Sequence, residues 1–257
     1  MRLAVILLTL AAAGVSLAAA APVATPKVAT VATPLPVATP IPVATPLPAD
    51  PKFRLAPSTD LNEPGKRKVP DDIQKISKRA IVAMGKGDLD AARQDFLKVL
   101  DSVPDNVPTM INLGLVEYRS KNLEEAEKRL QSAVRLAPES GIGWLILGIV
   151  QYDRSHFDHA LASLAQAAVL DPKNAMVHQY LGVTIGQKGW YSGAEDEMRK
   201  ALEIDPQYAE AHFNLAVFYL QRNPPAVELA RRHYERALEL GAAPDPDVEK
   251  SLTPPKD

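Results

Sequence analysis

The sequence predicts an all-α fold, a solenoid of about five stacked helix–turn–helix repeats, and three periodic observations carry that prediction. Leu-Gly recurs at Leu113-Gly114, Leu147-Gly148 and Leu181-Gly182, each 34 residues after the last, with Leu215-Ala216 at the same step. Alanine keeps pace at Ala92, Ala126, Ala160 and Ala194; a bulky residue follows four later (Phe96, Leu130, Leu164, Met198) and a small one seven later (Val99, Ala133, Ala167, Ala201). Pro104, Pro138, Pro172 and Pro206 close the copies. Registers that agree over four consecutive copies mark a repeated supersecondary unit.

The third copy shows what the unit is. Gly141 to Tyr152 is predicted as one helix, Asp153 to Phe157 as a polar turn, and Asp158 to Leu170 as a second helix. Leu161, Leu164, Ala165 and Ala168 are spaced along one face of that second helix. Gly148 has no side chain to hold the two helices apart, and Ala160 and Ala167 serve the same end. Pro172 stops the second helix, because it lacks a donor and clashes with the preceding turn. In the fourth copy, Ser192 with Glu195 three residues later fits a capping box.

The pattern resembles the tetratricopeptide repeat family, whose signature runs W-x-x-L-G-x-x-Y, then A-x-x-x-F, then P. Trp144, Leu147, Gly148, Ala160, Leu164 and Pro172 are the clearest match. The resemblance covers 73–106, 107–140, 141–174, 175–208 and 209–244, and it implies a right-handed superhelix. The first copy departs from it, with Arg79 in the leucine place and Ala80 in the glycine place, as a capping repeat would. The last copy carries two extra residues near Pro224-Pro225 and regains register at Ala230, Tyr234 and Ala237. One hairpin cannot bury its apolar face alone, so stacking supplies the core. Glu228, Arg231, Arg232, Glu235 and Arg236 suit the final helix to water, and 246–252 is a candidate short cap before the tail at 245–257 ends.

Ahead of the repeats lie two segments of different character. Arg2, the apolar run Leu3–Leu10 and Ala18-Ala19-Ala20 form an export signal expected to be cleaved after residue 20. An uncleaved anchor is the alternative. Residues 21–72 are rich in proline, alanine and threonine. Twelve of the chain's 23 prolines precede residue 73, and Val31–Pro36 recurs as Val37–Pro42 and Val43–Pro48. Proline at that density removes backbone donors and fixes φ, so a disordered, polyproline-II-rich spacer is expected. The predicted location is secreted or periplasmic, with no stable membrane insertion once the signal is removed.

A formal charge of −2 and a longest basic run of only Lys66-Arg67-Lys68 argue against nucleic acid as partner. The absence of cysteine removes thiol chemistry and thiolate metal sites. His156-x-x-His159 straddles a turn with few carboxylates nearby and reads as solvated. His178 and His212 stand in the place of Trp144 and read as packing residues; His233 reads as surface. Glu124-Glu125 and Glu195-Asp196-Glu197 read as hydrated charges on outer faces, not an acid–base pair. Gly85-Lys86-Gly87-Asp88 lacks the Gly-Lys-Ser/Thr core of a phosphate loop and falls at a turn. No enzyme, metal or cofactor is expected.

The resemblance implies a concave groove lined by the first helix of each hairpin. Its groove-facing places fall on Ile111, Leu115 and Tyr118; Leu145, Ile149 and Tyr152; Gln179, Val183 and Gly186; and Phe213, Val217 and Leu220. Only Asn112 matches the residues with which family members clamp a peptide carboxylate. The expected function is an interaction scaffold or adaptor whose groove takes an apolar or amphipathic protein segment. Self-association in envelope assembly is the alternative. The competing reading of the groove residues is that they pack against one another or a neighbouring repeat.

Overall fold

The structure, a computed structural model, describes residues 69–253. The expected export signal, nearly all of the expected spacer and the last four residues lie outside that range. Among the described residues there are eleven helices and no strand. They are α1 (Asp71–Gly85), α2 (Leu89–Ser102), α3 (Val107–Arg119), α4 (Leu123–Leu136), α5 (Gly141–Asp153), α6 (Phe157–Leu170), α7 (Ala175–Gln187), α8 (Tyr191–Ile204), α9 (Ala209–Leu220), α10 (Val227–Glu239) and α11 (Pro246–Leu252). Helix α1 starts two residues ahead of the expected repeat boundary at 73.

Consecutive helices pair as hairpins, and each hairpin packs on the next in sequence order. The odd-numbered helices also meet one another along the stack, so α1, α3, α5, α7 and α9 form an inner row. This is an α-solenoid. Its apolar core runs unbroken from Ala80 in the first hairpin to Leu252 in α11.

The starts of α3, α5 and α7 are set by the last residue of the preceding copy. Asn106 Oδ1 accepts from Thr109 N at 2.9 Å, Ser140 Oγ from Gly143 N at 3.3 Å, and Asn174 Oδ1 from Met176 N at 3.1 Å. Each satisfies a backbone donor that the first turn leaves without an intrahelical acceptor. The capping box expected at Ser192 is not formed. Helix α8 begins at Tyr191 after an N-cap Trp190, which puts Ser192 inside the first turn, and Glu195 is committed elsewhere.

Inside each hairpin the two helices meet where the repeat has its smallest residue. A Cβ placed on Gly148 would lie 2.6 Å from Leu164 Cγ and 3.3 Å from the Leu164 backbone nitrogen. On Gly114 it would lie 2.7 Å from Leu130 Cγ, and on Gly182 2.6 Å from Met198 Cε. Leu130, Leu164 and Met198 are fully buried and fill the space the glycines leave.

Both ends of the stack are finished with polar or capping elements. In the inner copies the leucine beside the small residue (Leu113, Leu147, Leu181, Leu215) is buried. In the first copy no hairpin precedes it, and Arg79 takes its place, bonding Asp95 with Nη2 to Oδ1 at 2.7 Å. Helix α11 closes the other end. Val248 and Leu252 are buried, Arg231 Nη2 donates to the Leu252 carbonyl at 2.6 Å, and Tyr234 Oη accepts from Asp245 N at 2.7 Å.

Substituting Gly148→Ala is expected to cost about 1–3 kcal/mol, because neither Leu164 Cγ nor the backbone behind it yields easily. Gly182→Ala is expected to cost less, since the nearest atom is the flexible end of Met198 and the Ala194 carbonyl at 3.1 Å has to give by only a few tenths of an ångström. Thermal unfolding followed by circular dichroism checks the ranking; equal losses would show that side-chain rigidity at the contact does not matter.

Candidate functional site

The inner row is the face on which the sequence placed its groove residues. Nine of the eleven apolar or amide side chains named there are buried within this chain: Ile111, Leu115, Tyr118, Leu145, Ile149, Tyr152, Gln179, Val183 and Val217. Gly186 is buried with them, while Phe213 and Leu220 keep partial exposure. The apolar members belong to the common core. The open apolar strip expected at these positions is therefore closed over α3, α5 and α7 and persists only at α9.

The residue types explain the closure. From Gly141 to Val150 helix α5 is apolar on every side, which suits burial all round rather than one buried stripe. The tyrosines lie along the stack and bridge repeats. Tyr118 Oη donates to Asp153 Oδ2 at 2.6 Å, and one copy on, Gln187 Nε2 donates to Tyr152 Oη at 3.2 Å. Burial holds the Tyr152 hydroxyl above its ordinary pKa, and that of Tyr180, at the place of Asn112 and Ile146, well above it.

Two amide oxygens in this row are buried without a donor, Asn112 Oδ1 on α3 and Gln179 Oε1 on α7. Burying such a group unpaired costs about 1–3 kcal/mol. Close to Asn112 in the helix, Arg119 is half-buried, and burial pulls its pKa down with nothing opposing.

Of the charges that the sequence reading assigned to outer, hydrated faces, Glu195 joins repeats and Glu197 meets His178 of its own hairpin. Glu195 is 2% exposed and Glu197 9%. Glu195 takes Arg222 from the next hairpin, with Arg222 Nε to Oε1 at 2.8 Å, and Arg199 Nη2 at 2.9 Å. Arg154 pairs with Glu127 across the preceding junction, and Arg93 Nε with Glu117 Oε1 at 2.8 Å across the first. Stacking brings the turn of one copy over the outer helix of the copy before, which an isolated hairpin would not reveal. Glu124 and Glu125 do face water, paired with Lys128.

The histidines divide. His156 and His159 are exposed, their rings 6.0 Å apart, and among the described residues no group of three or more side chains could hold a metal ion. Trp144 Nε1 donates to the Pro138 carbonyl at 2.8 Å, and the histidines in its place do likewise: His178 Nε2 lies 3.0 Å from Pro172 O and His212 Nε2 3.1 Å from Pro206 O. A ring N–H thus ties α5, α7 and α9 each to the proline closing the copy before it. That role was readable from the shared register but was missed. His178 Nδ1 also meets Glu197 Oε2 at 2.7 Å.

His233 is not a surface residue: it is half-buried, its Nδ1 2.9 Å from His212 Nδ1 and its ring 5.6 Å from that of Tyr219. With His212 Nε2–H given to Pro206, His212 Nδ1 is left to accept from His233. Desolvation, and then the charge of His212 and Arg199, hold the His233 pKa below its ordinary value.

The geometry defines a class, a stacked-hairpin solenoid that serves as a protein-interaction scaffold. Models of the tetratricopeptide repeat match the chain over residues 77–141, 111–175 and 145–209, and again over 197–239. The chain belongs to the tetratricopeptide repeat family. A crystal structure of MamA is 25% identical, has a TM-score of 0.57, and is matched over 63% of this chain and 93% of its own. MamA from Desulfovibrio magneticus RS-1 is 16% identical at a TM-score of 0.61, over 66% and 96%. YrrB, described as a TPR protein with an unusual peptide-binding site, is 22% identical at a TM-score of 0.57, over 69% and 89%. The last two likenesses concern the fold alone. No curated protein matches the chain.

Because the unfolded chain binds a proton that folded His233 resists, stability from this group is complete above about pH 6.5 and is lost as pH falls through the lower folded value. The melting temperature is expected to drop between pH 7.5 and 5.5, and to drop less in His233→Gln. Parallel drops in circular-dichroism melts would remove His233 from the explanation.

Proposed function

We propose that this chain is a non-catalytic scaffold of the cell envelope that holds a segment of a partner protein along its inner helices. The sequence of residues 1–20, read as an export signal, supports the location, and the alternative of an uncleaved anchor would keep the same solenoid at a membrane surface. No helix among the described residues is long and apolar enough to cross a membrane.

The observation that carries the reading is the partial exposure of Phe213 and Leu220 on α9, where the inner row keeps an open apolar surface while the corresponding places on α3, α5 and α7 are buried. An apolar or amphipathic segment of a partner docked there covers them. The peptide-binding site ascribed to YrrB supports the mode by analogy.

Self-association is the second reading, and exposed apolar side chains favour it: Val169 is 75% and Trp190 56% exposed. Light scattering during size-exclusion chromatography separates the two, since a monomer at working concentration leaves only the partner reading.

A photo-crosslinking residue at Phe213 is expected to capture envelope proteins that the same residue at Lys98, on the outer helix α2, does not. Equal capture from both sites would sink the inner-face reading. Asn112→Leu is expected to stabilise the free chain by about 1–2 kcal/mol in thermal melts, because it removes a buried acceptor that has no donor. Destabilisation by that change would show that the amide is already satisfied.

A further inference from the structure

One side of α1 corresponds to the side that, in later copies, is packed away inside the stack. One repeat on, the places of Lys75, Lys78, Arg79 and Val82 are Thr109, Asn112, Leu113 and Val116, all buried. In the third copy they are Gly143, Ile146, Leu147 and Val150, buried as well. Among the described residues no hairpin precedes α1, and its four side chains at these places are exposed, Val82 by 54%. Lys86 follows at the end of the helix, exposed too. Spacings of three and four residues keep these side chains on one stripe.

A terminal helix has to be polar to stay in water, but either sign of charge meets that need. The far end of the stack mixes the signs: on α10, Arg231 pairs with Glu228 and Arg236 with Glu239. The near end does not. The acids of α1, Asp71 and Asp72, sit in its first turn, and from residue 73 to residue 86 every charge is basic. Arg79 is committed to Asp95, whereas no ion pair joins Lys75, Lys78 or Lys86 to an acid among the described residues. Directly ahead in the chain stand Lys66, Arg67 and Lys68. The next residue, Val69, ties that run to this end: it is buried with Val99, and its carbonyl accepts from Gln74 Nε2 at 3.1 Å. Residues 66–86 hold seven basic and two acidic side chains, in a chain that has 29 and 31. Positive charge is therefore gathered at one end of a molecule that is acidic elsewhere.

We propose that this end of the solenoid docks on an anionic phospholipid bilayer, with Lys75, Lys78, Lys86 and the 66–68 run against the headgroups and Val82 among them. Lysine is a compact charge on a flexible stem, without the rigid fork by which arginine grips a single carboxylate. A row of lysines therefore suits a diffuse sheet of negative charge better than one acid on a protein. Each basic residue near such a sheet strengthens binding about fivefold, and the effect fades within about 10 Å at ordinary salt. The docking is peripheral and makes no use of the inner helices, so it stands apart from the partner segment proposed for them.

The test is co-sedimentation of the full chain with phosphatidylcholine vesicles, with and without about a third of phosphatidylglycerol. Two triple variants run beside it. One carries Lys75→Gln, Lys78→Gln and Lys86→Gln; the other carries Lys121→Gln, Lys173→Gln and Lys250→Gln, exposed lysines elsewhere that change the net charge equally. Far-UV circular dichroism confirms that both are folded. Binding is expected to be about tenfold or more tighter to the anionic vesicles, and to weaken as salt rises from about 50 to about 500 mM. The first variant is expected to bind them on the order of a hundredfold more weakly, the second less than about threefold. Equal binding to neutral vesicles would assign attachment to apolar chain, and equal losses in the two variants would assign it to net charge. Either result overturns the proposal, as does failure to bind anionic vesicles at all. Immobilised polyglutamate is the last arm: capture there that the first variant loses, without vesicle binding, would give this face to an acidic protein instead.

Discussion

The close approach of Gly148 to Leu164, repeated as Gly114 on Leu130 and Gly182 on Met198, is the contact on which the rest of the molecule depends. A residue without a side chain on one helix lets a bulky side chain of the other sit directly over its backbone. The two helices then close into a hairpin with one apolar side still uncovered. Only another hairpin of the same kind covers it, so the unit repeats, and the core becomes one continuous body rather than five small ones. The same constraint explains the ends. Where no hairpin precedes, Arg79 replaces the buried leucine, and where none follows, α11 supplies Val248 and Leu252 to finish the last face.

Stacking then decides what the charges do. In an isolated hairpin Glu127 and Glu195 would face water; in the solenoid they lie under the turn of the next copy, where Arg154 and Arg222 meet them. Pairs of this kind hold neighbouring copies in register more than they add net stability, since each repays the desolvation of its own carboxylate. Against that background the polar groups that are not repaid stand out. Asn112 and Gln179 lie on the inner helices, each with a buried amide oxygen that has no donor.

Much of the fold was legible because its signals are local and repeated. Spacing identified the hairpins, the turns, the degenerate first copy and the return to register at Ala230, Tyr234 and Ala237, all three of which are buried. The candidate site was legible only as a set of positions. Ile111, Leu145 and Ile149 fall on the inner helices as spacing implies, but spacing left open whether they line a groove or pack between repeats, and the structure buries them. His233 and Glu195 were misjudged for one reason: the groups that bury them, His212 and Arg222, belong to other helices.

By itself the sequence determined the repeat length, the helical hairpin and the order of stacking, because a small residue, a bulky residue and a proline recur at fixed separations along the chain. Only the tertiary structure decided which side chains keep a free surface, which charges are neutralised and which polar atoms are left without a partner. Those properties depend on atoms brought from a neighbouring copy, a whole repeat away in the chain, and no local spacing encodes the distance between them.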